Sequence, residues 1–115
     1  MKMRKRSSLG SALLALISCG VLVLPATASA WDGTVNDTIS QIDVTDGDQL
    51  GFRIYFPNST ACGNAHNWAY LNRGDSNYQA YVAAALMAKA TGTPVTVYSN
   101  VDANGYCHVR FLTLR

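Results

Sequence analysis

The first thirty residues read as an export leader, and that fixes how much chain is left to fold. Lys2, Arg4, Lys5 and Arg6 form a basic start, residues 13–24 are an apolar run, and Ala28-Ser29-Ala30 is a small-residue cleavage site. Cleavage after Ala30 removes residues 1–30 as a signal peptide and leaves a single domain, residues 31–115, of 85 residues. A chain of that size buries one modest core, which excludes a Rossmann unit or a two-domain enzyme. The apolar run is shorter than the ~20 residues needed to span a bilayer. The leader also takes four of the nine Lys/Arg with it, leaving five against seven Asp, a net charge of −2 where the full sequence has +2. Nucleic acid is therefore not an expected partner, because that needs a clustered positive surface. The expected location is secreted or periplasmic in a bacterium. A rival reading takes Leu16-Ile17-Ser18-Cys19 as a lipobox with Cys19 lipidated; the further apolar residues 20–24, which would dangle from that anchor, weigh against it.

Cys19 leaves with the leader, so the exported chain keeps only Cys62 and Cys107. An even pair in an exported small domain reads as one disulfide. The competing use of these thiols is a metal site with His66 and His108. Adjacent Cys107 and His108 point to opposite faces of a strand, which disfavours it.

Residues 33–44 are rich in Val, Ile and Thr and read as a first strand. Ile39 is out of phase with Ile42 and Val44, so a bulge or a change of buried face is expected between them. A turn at residues 45–48 leads to a second strand, 51–56, with Phe52, Ile54 and Phe56 on one face and Arg53 and Tyr55 on the other. A polar loop, 57–67, carries Cys62. Residues 68–71 form a third strand with Trp68 and Tyr70 on one face. A helix follows, started by Asp75 or Ser76 with a Ser76-x-x-Gln79 capping box, running to Ala90 and stopped by Gly92 and Pro94. Residues 95–98 and 106–114 are the fourth and fifth strands, joined through an Asn104-Gly105 turn, with Cys107, Val109 and Phe111 on one face of the fifth. The class is all-β with one helix, and the order β-β-β-α-β-β is that of a small five-stranded OB-fold-like barrel.

Around the helix, Tyr78, Tyr81, Val82 and Ala85 share the face that would plug the barrel. The opposite face holds Ala80, Ala83, Ala84 and Met87 where an exposed helix normally carries Glu, Lys and Gln. One small domain cannot cover both sides of a helix. Alanine chosen for helix propensity alone accounts for it, but a contact between copies of the chain accounts for it better, and these four residues are the expected oligomer interface.

Trp68-Ala69-Tyr70, Asn77-Tyr78-Gln79-Ala80-Tyr81 and Thr91-Gly92-Thr93-Pro94-Val95-Thr96-Val97-Tyr98, with Cys62, Cys107 and an N-terminal Trp31, resemble the subtilase-cytotoxin B-subunit family, the OB-fold binding subunits of AB-type toxins. The resemblance implies an OB-fold, a disulfide, a homopentameric ring with helices toward its centre, a cell-surface sialylated glycan as ligand, and an A-type catalytic subunit as partner. Carried over by position, the family's sugar contacts fall near Asp32 and Ser99, beside Trp31 and Tyr98, so these four are the expected ligand-binding set. The family has a Ser near Asp32 and a Tyr at Ser99. An Asp facing an anionic sugar repels it, so the sugar preference is expected to differ.

No cofactor, metal or catalytic residue is expected. There is no G-x-S-x-G elbow and no spare thiol for nucleophilic work. His66 is read as a solvated loop residue and His108 as a strand residue. Asp43, Asp46 and Asp48 have a calcium-like spacing without the rest of an EF-hand loop. Tyr55, Trp68, Tyr70, Tyr98 and Tyr106 supply aromatic surface suited to sugars, each taken singly as packing. The expected function is that of a secreted, non-enzymatic, glycan-binding module; the alternative is a monomeric exported protein-interaction module, an inhibitor or envelope factor, on the same fold.

Overall fold

The computed structural model describes residues 31–63 and 65–115. The leader, its cleavage after Ala30 and the lipidation of Cys19 lie outside the described residues. The elements are β1 (Gly33–Asp37), β2 (Gln41–Val44), β3 (Phe52–Tyr55), β4 (Trp68–Leu71), a helix α1 (Tyr78–Thr91), β5 (Val95–Val101) and β6 (Cys107–Leu114). The protein is thus mostly sheet with one helix. No helix among the described residues is long and apolar enough to cross a membrane.

The strands form one six-stranded sheet in the order β1-β5-β6-β4-β3-β2, not a five-stranded barrel. The extra strand comes from the phase break at Ile39. Residues 38–40 leave the ladder, so the expected first strand divides into β1, paired with β5, and β2, paired with β3. Val35 and Ile39 point into the core at 2% and 5% exposure, and Ile42 packs against it from the next strand. All pairings are antiparallel except β4 with β6. A parallel pair needs a crossover, here supplied by α1 and β5. The two edge strands are consecutive in the chain. A flat six-stranded sheet would hold them about 24 Å apart, whereas the four Cα steps from Asp37 to Gln41 reach at most about 15 Å. The sheet therefore curls until its edges approach, although no ladder joins them.

The concave side is filled by Phe52, Ile54 and Phe56 from and beside β3, Ala69 and Leu71 from β4, Val95 and Val97 from β5, and Val109 from β6. Helix α1 packs on β2 and β6, burying Ala85 and Ala88 and laying Tyr78, Tyr81 and Val82 on the core, as the helical periodicity requires. Its C-terminus follows expectation: Gly92 is left-handed at φ 71°, and its N–H donates to the Ala88 carbonyl. Its start does not. The helix begins one position later than the capping box demands, with Asn77 left-handed at the N-cap and no side-chain cap. Ser76 then lies outside the helix and the third helical position is Ala80. Asp75, the other expected cap, instead accepts from the Asn72 N–H at 2.8 Å and pairs with His108.

A second difference lies in β6. Tyr98 pairs with Phe111 but the next residue, Ser99, pairs with Val109, so Arg110 is an extra residue in the ladder. Beyond that bulge the buried phase changes: Leu112 and Leu114 turn to the core, and Phe111, expected beside Cys107 and Val109, turns outward and is 49% exposed. The bulge frees the Arg110 carbonyl, and Tyr81 of the helix donates its hydroxyl to it at 2.7 Å.

Cys62 and Cys107 form a disulfide with their Cα atoms 5.6 Å apart. It ties the 57–67 loop to the start of β6. Both sulfurs are thereby removed from the alternative metal set, and no group of three His, Cys, Asp or Glu among the described residues is placed to hold a metal. Asp37 ties the same loop to β1, accepting from the Asn58 N–H and the Ser59 hydroxyl, both at 3.0 Å.

Candidate functional site

The four expected ligand residues sit together where the chain enters β1, but they do different work. The β5–β6 register sets Tyr98 opposite Phe111 on the outer side of the sheet, with ring centroids 5.2 Å apart and planes 9° from parallel. Trp31 lies against both, 5.7 Å from Tyr98 and 6.4 Å from Phe111. The result is a triad of near-parallel rings covering the outer face of two strands. Asp32 extends the β1–β5 ladder: its N–H donates to the Ser99 carbonyl, and its carboxylate accepts from the Val101 N–H at 2.8 Å. That carboxylate holds β1 to β5 while remaining exposed. Ser99 points the other way, into the core, and is 0% exposed. Its hydroxyl meets no partner among the described residues and cannot reach an external molecule. The structure therefore keeps Trp31 and Tyr98 at the surface, removes Ser99 from it, and adds Phe111. The sequence signal for Phe111 was present in the phase change between Val109 and Leu112.

The helix face adjoins this triad. A groove of about 220 Å³ runs between α1 and β6, lined by Asn77, Ala80, Tyr81, Ala84, Phe111 and Leu112. Ala83 is exposed, and Leu86 and Met87 stand out from the helix at 47% and 60% exposure. Phe111 belongs to both the ring triad and the groove, so Trp31 and Tyr98 of the expected ligand set adjoin Ala80 and Ala84 of the expected interface.

A second aromatic surface lies on the outer face of β3 and β4 and the entrance to β6. Trp68 is its centre, with Tyr106 at 5.2 Å, His66 at 5.6 Å and Tyr55 at 6.3 Å. The Arg53 guanidinium lies over the indole, 5.3 Å from the ring centroid. The β3–β4 register explains the grouping, because it sets Tyr55 opposite Trp68 and Arg53 opposite Tyr70. His66, read as a solvated loop residue, is exposed but packs its ring on Trp68 and Tyr106.

Carboxylates flank this cluster. Tyr55 donates its hydroxyl to Asp43 at 2.8 Å. Hydrogen bonds from Gln41 and from Tyr55 hold the Asp43 carboxyl below the usual carboxylate range. At the other end Tyr70 donates to Asp102 at 2.6 Å. Burial, then the hydrogen bond to Asp102 and its charge, push the Tyr70 phenol up. Against opposing desolvation, the Tyr70 hydroxyl and the N–H groups of Tyr106, Asn104 and Gly105 hold Asp102 low. Tyr70 also stacks on His108, centroids 4.8 Å apart and planes 2° from parallel, and His108 binds Asp75 at 2.7 Å. The calcium-like acids do not converge: Asp43 is bound to Tyr55, and Asp48 pairs with Arg73.

Comparison with protein-family models, with curated proteins and with solved structures finds no significant match to this chain.

Proposed function

We propose that the chain is an exported, non-enzymatic binding module of the toxin B-subunit type, which assembles with copies of itself and holds a glycan at its surface. The observation that carries this reading is the continuity of the Trp31–Tyr98–Phe111 triad with the Ala80–Ala84 groove. Half-buried and exposed rings offer flat faces to the C–H surface of a sugar. The uncharged helix back beside them offers a close-packing contact to a second copy. The strand arrangement supports the OB-like element of the reading. If β1 and β2 are counted as one strand interrupted at residues 38–40, the remaining order, with its single parallel pair and its helix before β5, is that of an OB-fold. A ring, pentameric in the family resembled, is the symmetric assembly proposed, and a cell-surface glycan and an A-type catalytic chain are the partners.

Ala83→Glu tests the assembly. One carboxylate per protomer enters the contact, and an uncompensated buried charge costs several kcal/mol, whereas the same change on a free helix surface costs only tenths. The variant is expected to stay folded, because Tyr78, Tyr81 and Val82 are untouched, and to scatter light as a monomer while the wild type has a multiple of that mass. A monomeric wild type at tens of micromolar moves the reading to the alternative, a monomeric exported interaction module.

A further inference from the structure

We infer that the outer sheet face centred on Trp68 is a second binding surface, separate from the Trp31 triad, and that its ligand is an uncharged pyranoside chain. The core does not account for these rings. Phe52, Ile54, Ala69 and Leu71 fill the concave side from the same two strands, and the half-buried outward positions between them carry Arg53, Tyr55 and Trp68, where small or polar residues would leave the core intact; Tyr70, on the same side, is buried. Tyr55, Trp68 and Tyr106 step across β3, β4 and the entrance to β6. Two strand spacings make that row about 10 Å long, the reach of a disaccharide. Neighbouring rings in the row are tilted 35–39° to one another rather than stacked flat. Around the row stand groups able to meet vicinal hydroxyls, each of which both donates and accepts: Gln41, Asp43 and His66 beside it and Arg53 over the indole.

Charge selects the ligand further. Asp43 and Asp102 lie at opposite ends of the row, each anchored by a tyrosine hydroxyl, and Arg53 stands over the indole between them. An anionic sugar would face two carboxylates; an uncharged one can accept from Arg53 and donate to Asp43. The row is also held in place before any ligand arrives. The Cys62–Cys107 bond fixes the loop that carries His66 to the strand that follows Tyr106, which lowers the ordering cost of binding.

The sequence has only two tryptophans, so their indole N–H signals report the two surfaces separately. Isotope-labelled protein, residues 31–115, is titrated to millimolar concentration with triacetylchitotriose, cellotriose, mannotriose and 3′-sialyllactose in turn. Signals are assigned with Trp68→Phe. At least one neutral trisaccharide is expected to shift the Trp68 indole and the Tyr106 amide saturably. Tyr106→Ala is expected to weaken that binding roughly tenfold, with folding verified by the retained shifts of core amides. The inference is overturned if no neutral trisaccharide moves Trp68, if sialyllactose is preferred there, or if the shifts survive Tyr106→Ala. Shifts confined to Trp31 would uphold the first surface and overturn this one.

Discussion

Replacing Cys62 and Cys107 together by Ser is expected to remove up to about 4 kcal/mol of stability, the chain-entropy value for a closed loop of this length. The two cysteines are 45 residues apart in sequence, and a domain of this size is stable by only ~5 kcal/mol in all. Both positions are buried, Cys107 completely, so two hydroxyls placed there add a desolvation cost. Denaturant unfolding of the oxidised wild type and of the double variant measures the difference. The expected outcome is a variant mostly unfolded at 37 °C, with its far-ultraviolet sheet signal lost at low denaturant. A loss below about 1 kcal/mol would mean that the packing on either side of the bridge holds the loop without it.

Gly33→Ala is expected to cost about 3 kcal/mol or more, at the upper end of overpacking effects. A Cβ at Gly33 would sit well inside 3.0 Å of the Cys62 backbone Cα, N and C atoms, and backbone cannot swing aside as a side-chain tip can. Cys62 is itself left-handed at φ 39° and bridged to β6, so the strain passes to β1. Gly33 pairs with Ser99 at the start of the β1–β5 ladder, and Asp32 donates to that same residue. Lifting β1 would therefore also undo the seating of Trp31 on Tyr98. Thermal unfolding and the near-ultraviolet aromatic signal should both report it. Gly74→Ala is the control, since nothing lies within 4 Å of its added carbon; equal effects from the two substitutions would contradict the close-approach explanation.

These two sites show what the sequence could and could not announce. The disulfide followed from counting thiols in a chain read as exported, but the crush of Gly33 on Cys62 is a long-range contact that no local pattern encodes. Much of the local punctuation was legible: residues 68–71 as a strand, Gly92 and Pro94 as the helix stop, and Asn104-Gly105 as the β5–β6 turn stand as read, Gly105 having φ 88°, whereas the capping box at Ser76 does not, since Asn77 takes the N-cap. What failed was phase. The break at Ile39 was seen, yet as a bulge or a change of buried face within one strand; the backbone instead leaves the ladder, and two strands with different neighbours result. The equivalent break between Val109 and Leu112 went unused, which put Phe111 inside when the Arg110 bulge puts it outside.

The candidate site was legible in proportion to its locality. Trp31 and Tyr98 came from a resemblance, and strand pairing brings them together. The same positional transfer misplaced Ser99, because alternation along β5 turns residue 99 inward whatever its neighbours do. The aromatic residues of the second surface were noted as suited to sugars, but not which of them meet. Tyr55, Trp68 and Tyr106 are spread over 52 positions, and only the β3–β4–β6 register sets them side by side.

The proposed function requires that this domain bind glycans through aromatic rings on its outer surface. An array of uncharged and sialylated glycans, probed with the disulfide-bonded protein of residues 31–115 and with Trp31→Ala/Trp68→Ala, tests this. The wild type is expected to bind a defined set of glycans, and the double variant, folded by circular dichroism, to bind none. A wild type that is folded and bridged yet silent on every glycan, or a double variant that retains the wild-type pattern, would contradict it.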